Sequence, residues 1–103
     1  MQIQIEDGGA TARVVLIGKL DIAGAEVVAL PLASLSGSKQ SLTIDMSEVT
    51  FIASIGVRHL ITASRALARR GGSLTLLDPS EIVSEVLTTS GASELMTVAR
   101  SGG

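Results

Sequence analysis

The chain has no cysteine, tryptophan or tyrosine, and one phenylalanine and one histidine among its 103 residues. Without cysteine there are no disulfides, thiol nucleophiles or thiolate metal ligands, and the chain suits a reducing compartment. With Phe51 as the only aromatic side chain, there is no platform on which single-stranded bases could stack. Neither sign of charge dominates: eight basic and ten acidic residues leave a net charge of -2, which offers no electrostatic footprint for nucleic acid. Residues 1–6 lack the basic stretch and apolar core of a secretory signal, and no apolar run approaches the length that spans a bilayer. A soluble, cytoplasmic domain without direct membrane insertion is the expectation.

What is present is aliphatic. Apolar residues make up 46% of the chain, so disorder is excluded and the core must be built from Val, Ile, Leu, Ala and Met. The length suits one domain with one core, expected over residues 1–100, with Ser101-Gly102-Gly103 as a flexible tail.

Gln2-Ile3-Gln4-Ile5-Glu6 alternates like a half-buried strand, Asp7-Gly8-Gly9 reads as a hairpin turn, and residues 12–18 form a near-continuous apolar strand of the kind covered on both faces. Asp21 is placed to cap a helix carrying Ile22, Ala25, Val28, Leu32 and Leu35 at helical spacing, which Pro31 should kink or break. Leu42, Ile44 and Met46 mark a third strand, followed by a short apolar loop from Ser47 to Ala53. Val57, Leu60, Ile61, Ser64, Leu67 and Ala68 are one stripe of a long amphipathic helix that ends at Gly71-Gly72. A fourth strand at 74–77 precedes a helix with Asp78 as cap, Pro79 at its first position, and Ile82, Val83, Val86 and Leu87 as its buried face. A short turn and an edge strand would close the chain. The order β-β-α-β-α-β-α predicts an α/β fold with a mixed sheet of four to five strands backed by helices.

Ligand sites in such sheets gather at the carboxyl ends of the strands, which here carry Asp21, Asp45 and Asp78. Three acids near one edge could hold a metal or serve phosphoryl transfer. Each also has a structural role, Asp21 and Asp78 as helix caps and Asp45 as an acceptor for backbone N–H groups, and that reading is preferred. His59 has no second histidine or cysteine with which to share a metal and is expected at the surface. No Gly-x-Ser-x-Gly, Walker loop or dinucleotide fingerprint occurs. Neither catalysis nor a cofactor is expected.

Ser54 stands where the third-strand region enters the long helix. It is either a plain helix cap or something more, because Ser54, Arg58, Thr62, Arg65 and Arg69 share one side of the helix and make a polar, basic ridge. A phosphate there would sit at the positive end of the helix near Arg58, while burying it in an interface would be costly unless it were paired. That asymmetry is what a switch needs.

Four stretches resemble the STAS family, named for sulfate transporters and anti-sigma factor antagonists: residues 18–21 (Gly-Lys-Leu-Asp), residues 44–56, residues 69–76, and residues 78–91 from Asp78-Pro79-Ser80 to Ser90-Gly91. Their order and spacing cover almost the whole chain. The resemblance implies a single-domain anti-sigma factor antagonist that binds an anti-sigma factor serine kinase when unphosphorylated and so frees a sigma factor. It is switched off by phosphorylation and restored by a PP2C-type phosphatase. By motif position the phosphorylated residue would be Ser54, with Asp21, Phe51, Ile52, Ala53, Ser54, Ile55, Gly56 and Arg58 as partner-binding candidates. The family's usual Asp-Ser-Ser-Gly or Asp-Ser-Thr-Gly is Ala53-Ser54-Ile55-Gly56 here, so the acid and second hydroxyl are missing. The resemblance also admits a STAS subunit that does not switch, in a larger signalling complex or a lipid-transport ABC system. The edge strand beginning at Gln2 could pair with a second copy as a homodimer.

Overall fold

In the computed structural model, which describes residues 1–101, the chain runs β1 (Gln2–Gly8), β2 (Thr11–Leu20), α1 (Ile22–Ser38), β3 (Ser41–Ile52), α2 (Ser54–Arg69), β4 (Ser73–Leu77), α3 (Glu81–Thr89), a single 3-10 turn (Ala92–Glu94) and β5 (Thr97–Ala99). The five strands form one sheet in the order β1-β2-β3-β4-β5. β1 and β2 pair antiparallel, with Asp7 and Gly8 still in the ladder opposite Ala12 and Thr11, so the turn expected at Asp7-Gly8-Gly9 falls at Gly9-Ala10, where Gly9 takes φ +85°; every later pairing is parallel. Each parallel step moves to the next position in the same direction, so right-handed crossovers carry all three helices to one face of the sheet. Of the tail expected over residues 101–103, residues 102 and 103 lie outside the described residues.

The core lies between that face and the helices: Val14, Leu16, Leu42, Ile44, Met46 and Leu76 from the strands meet Val28, Leu60, Leu67 and Leu87 from the helices, all at most 1% exposed. Fully burying one such side chain is worth roughly 1.5–3 kcal/mol, and together they offset the lack of an aromatic side chain in the core, since Phe51 is exposed. The expectation that β2 is covered on both faces does not hold. Ala12, Val14 and Leu16 are buried, whereas Thr11 and Arg13 are exposed and Val15 and Ile17 only half-buried, because no helix covers the second face.

The apolar loop expected between Ser47 and Ala53 is instead the second half of β3. It stays paired with β2 as far as Leu20 opposite Ile52, through two register shifts that each insert one extra residue into β3. Each bulge twists the strand and re-aims its side chains, so the inward residues run Leu42, Ile44, Met46, Val49, Ile52.

Asp21 caps α1 as expected, its Oδ1 accepting from the Gly24 N–H at 2.9 Å. The helix then runs through Pro31 without a break. The carbonyl that loses its partner belongs to Val27, which is 42% exposed, so water can serve it. Ile22 was expected in the buried stripe but is 72% exposed. The end of α1 is tied down from elsewhere: Arg70 donates to the carbonyls of Ser36 and Lys39 at 2.9 and 2.7 Å, and the buried Lys39 Nζ donates to the Asp7 carboxylate and the Gly9 carbonyl. At the end of α2, Gly71 adopts φ +78° and the N–H groups of Gly71 and Gly72 return to the carbonyls of Ala68 and Leu67, a Schellman closure.

Candidate functional site

The site is built where β2 and β3 end side by side. Leu20 pairs with Ile52, and one residue on the Ala53 N–H donates to the Leu20 carbonyl at 3.0 Å. Asp21 and Ala53 therefore leave the sheet together. The first turn of α2 is pressed onto the same spot, since a Cβ on Gly56 would lie 2.7 Å from Leu20 Cγ and 2.9 Å from its carbonyl oxygen. Only glycine permits that approach.

Ser54 is not the helix cap. The cap position is Ala53, which has no side chain to close the turn, and Ser54 is the first helical residue. The first intrahelical bond runs from the Val57 N–H to the Ala53 carbonyl at 3.1 Å, so the N–H groups of Ser54, Ile55 and Gly56 have no acceptor within the helix. The Ser54 side chain is exposed and, among the described residues, its hydroxyl makes no hydrogen bond. The plain capping role is thereby removed, and an uncommitted hydroxyl stands at the positive end of a 16-residue helix.

The other candidates divide by exposure. Phe51 (46% exposed) and Arg58 stand outward, Asp21, Ala53 and Ile55 are partly exposed, and Ile52 and Gly56 are buried. Ile52 and Gly56 therefore shape the site from beneath and offer no side chain to a partner. Phe51 is a strand residue opposite Lys19.

The sequence did not reveal the third wall. Ser54 sits at the junction of two adjoining clefts between α2 and α3. One, of about 360 Å³, is lined by Val57, Arg58, Ile61, Thr62, Arg65, Val86 and Ser90 besides Ser54. The other, of about 390 Å³, has Ile82, Glu85, Val86, Thr89 and Ser90 facing Ser54. Ile82, expected in the core, is 65% exposed, because the nine-residue α3 is seated through the buried Val83 and Leu87, with Val86 partly buried beside them. Its spacing of four from Val86 was the available signal.

The three acids at the strand ends are each held by local partners. Asp21 caps α1. Asp45 accepts from the Ser47 N–H and Oγ at 2.9 and 2.6 Å and from Arg13 at 2.7 Å. Against the opposing effect of burial, the Ser47 hydrogen bonds and the Arg13 charge hold its carboxyl below the usual carboxylate range. Asp78 does not cap α3; Ser80 does, accepting from the Val83 N–H at 3.2 Å. Asp78 takes φ +53° at the end of β4 and accepts from the N–H and hydroxyl of Ser101, which lower its pKa. Among the described residues no three His, Cys, Asp or Glu side chains converge as metal ligands. His59 is half-buried in a groove between α1 and α2, beside Ala29, Leu32 and Ala63. No helix among the described residues is long and apolar enough to cross a membrane.

A family model described as "Mlab, STAS domain" matches residues 3–97. The anti-sigma factor antagonist SpoIIAA in its unphosphorylated form superposes with a TM-score of 0.82 at 26% identity, over 95% of this chain and 88% of that one. SpoIIAA of Bacillus in the phosphorylated form gives 0.75 at 25%, over 95% and 91%. An anti-sigma factor antagonist from Mycobacterium paratuberculosis gives 0.83 at 20%, over 95% and 84%, a likeness of fold. No curated protein sequence matches the chain significantly.

Proposed function

Because the chain belongs to the STAS domain family, we propose that it works by binding, not catalysis, as an anti-sigma factor antagonist. Unphosphorylated, it binds an anti-sigma factor serine kinase and so releases a sigma factor in the cytoplasm. Phosphorylation at Ser54 ends that binding, and a PP2C-type phosphatase restores it. The domain that does this spans residues 1–100. The observation that carries the reading is the Ser54 hydroxyl, exposed and unengaged at the first residue of α2. Similarity to SpoIIAA, known in both unphosphorylated and phosphorylated forms, supports it.

A phosphate on Ser54 brings about two negative charges to the positive end of α2, where free N–H groups and the guanidinium of Arg58, one turn on, can receive it. The fold tolerates the modification. A partner packed over Phe51, Ile55 and Ile82 would have to desolvate it, at a cost of several kcal/mol if unpaired. Incubation with the cognate kinase and ATP should add one phosphate by intact mass, and Ser54→Ala should abolish it. Stable binding to the kinase with no phosphate transferred would refute the switch and leave the binding module.

A second reading, a STAS interaction subunit that does not switch, in a larger signalling complex or a lipid-transport ABC system, is favoured by Ala53 and Ile55, which give Ser54 no neighbouring acid or second hydroxyl. Co-purification with transporter subunits in place of a kinase would decide for it.

A further inference from the structure

We propose that the cleft between α2 and α3 is the seat of an amphipathic partner helix that presents carboxylates along the edge facing α2. The proposal deepens the binding-module reading and rests on it for the role of Ser54 as one end of the seat. The floor is apolar, formed by Val57, Ile61 and Val86. Along the α2 wall stand Arg58 and Arg65, both exposed, and the ion pairs among the described residues engage only Arg13 and Lys39 as cations. Arg58 and Arg65 are seven residues apart on α2, about two helical turns or about 10.5 Å along the axis. A bound helix carrying Glu or Asp seven positions apart, beside an apolar stripe, can meet both guanidiniums at once. Glu85 on α3 lines the adjoining cleft and lies outside the one that holds Arg58 and Arg65, so charge complementarity assigns the occupant's acidic edge to α2 and fixes its orientation.

The seat is continuous with the proposed switch, since Ser54, Val86 and Ser90 line both adjoining clefts. A phosphate on Ser54 would compete for Arg58 and repel the acidic edge of the occupant. Release would then follow from like-charge repulsion as well as from desolvation.

The probe is a fluorescein-labelled 18-residue peptide with leucines at helical spacing and glutamates seven apart on one flank, compared with a sister carrying lysines at the flank positions. Anisotropy titrations at low salt should show the acidic peptide binding about tenfold more tightly, as two exposed charge pairs against two repulsions would give. The preference should shrink in 0.5 M salt. Arg58→Glu with Arg65→Glu should reverse it, while Arg69→Glu, off the cleft, should leave it in place. Methyl shifts should centre on Val57, Ile61 and Val86, and Ser54→Glu should weaken the acidic peptide several-fold. Equal affinity for the two peptides, no saturable binding of either, or shifts centred elsewhere would overturn the proposal. Kinase-dependent phosphorylation of Ser54 reads the switch independently, so either idea can fail alone.

Discussion

Replacing Gly56 with alanine sets two effects of known sign against each other. Alanine in a helix is favoured over glycine by up to about 1 kcal/mol. The added Cβ, however, would stand 2.7 Å from Leu20 Cγ, 2.9 Å from its carbonyl oxygen and 3.1 Å from Cδ2. Leu20 cannot retreat: its side chain is fully buried and its carbonyl holds the Ala53 N–H. Overpacking of this kind costs about 1–3 kcal/mol, so the steric term wins and Gly56→Ala should lose about 1 kcal/mol net, lowering Tm by about 4–8 °C for a domain of this size. Gly37 is the internal control, because it lies in α1 with nothing within 4 Å of an added Cβ. Gly37→Ala should be neutral or stabilising by up to about 0.5 kcal/mol. Urea denaturation of both variants reads the contrast, and amide exchange at residues 54–57 should rise only in Gly56→Ala. A Gly56→Ala protein as stable as wild type would refute the claim that α2 is wedged onto Leu20.

Ser80→Ala removes the cap of α3 and should cost about 1 kcal/mol in denaturant titrations, whereas Asp78→Ala should not reproduce a capping loss in α3 exchange. Ile44→Ala opens a cavity in the fully buried centre of β3 and should cost about 2–5 kcal/mol by the same measurement. The Asp45 carboxyl lies below its ordinary value of 3.8 in the folded protein. Its contribution is therefore fully present above that pH and is lost as pH falls through the depressed folded value. Asp7 and Asp78 shift in the same direction, so the Asp45 share is read as a difference: Ser47→Ala should flatten the acid limb of a stability–pH curve below about pH 4, and an unchanged limb would contradict that role for Ser47.

β1 and the amphipathic α2 were legible because their apolar residues keep a period of two and of 3.6, while the near-continuous apolar run of β2 marked a strand but hid which of its faces is covered. The second half of β3 was not, because its bulges space Met46, Val49 and Ile52 by three residues, a period that belongs to neither element. The start of α3 was misplaced because Asp78 and Pro79 imitate a cap and first helical residue; the structure commits Asp78 to a left-handed turn and Ser101 instead. Ser54 and Arg58 were visible as one helical ridge. The cleft beside them was not, since Ile82, Val86 and Ser90 arrive from a helix about thirty residues later through packing that no local pattern encodes.

Leu20 carries more than its own burial. Its backbone anchors the residue before Ser54, its side chain abuts the turn that Ser54 begins, and Asp21 follows it directly. The rim of the site is thus a fixed frame, not a pair of independently moving loops. A new partner would be accommodated by exchanging outward side chains at positions 51, 54, 58 and 82, with the backbone left as it is. Duplicated copies of such a domain could acquire separate partners by a few surface substitutions each, without passing through a misfolded intermediate.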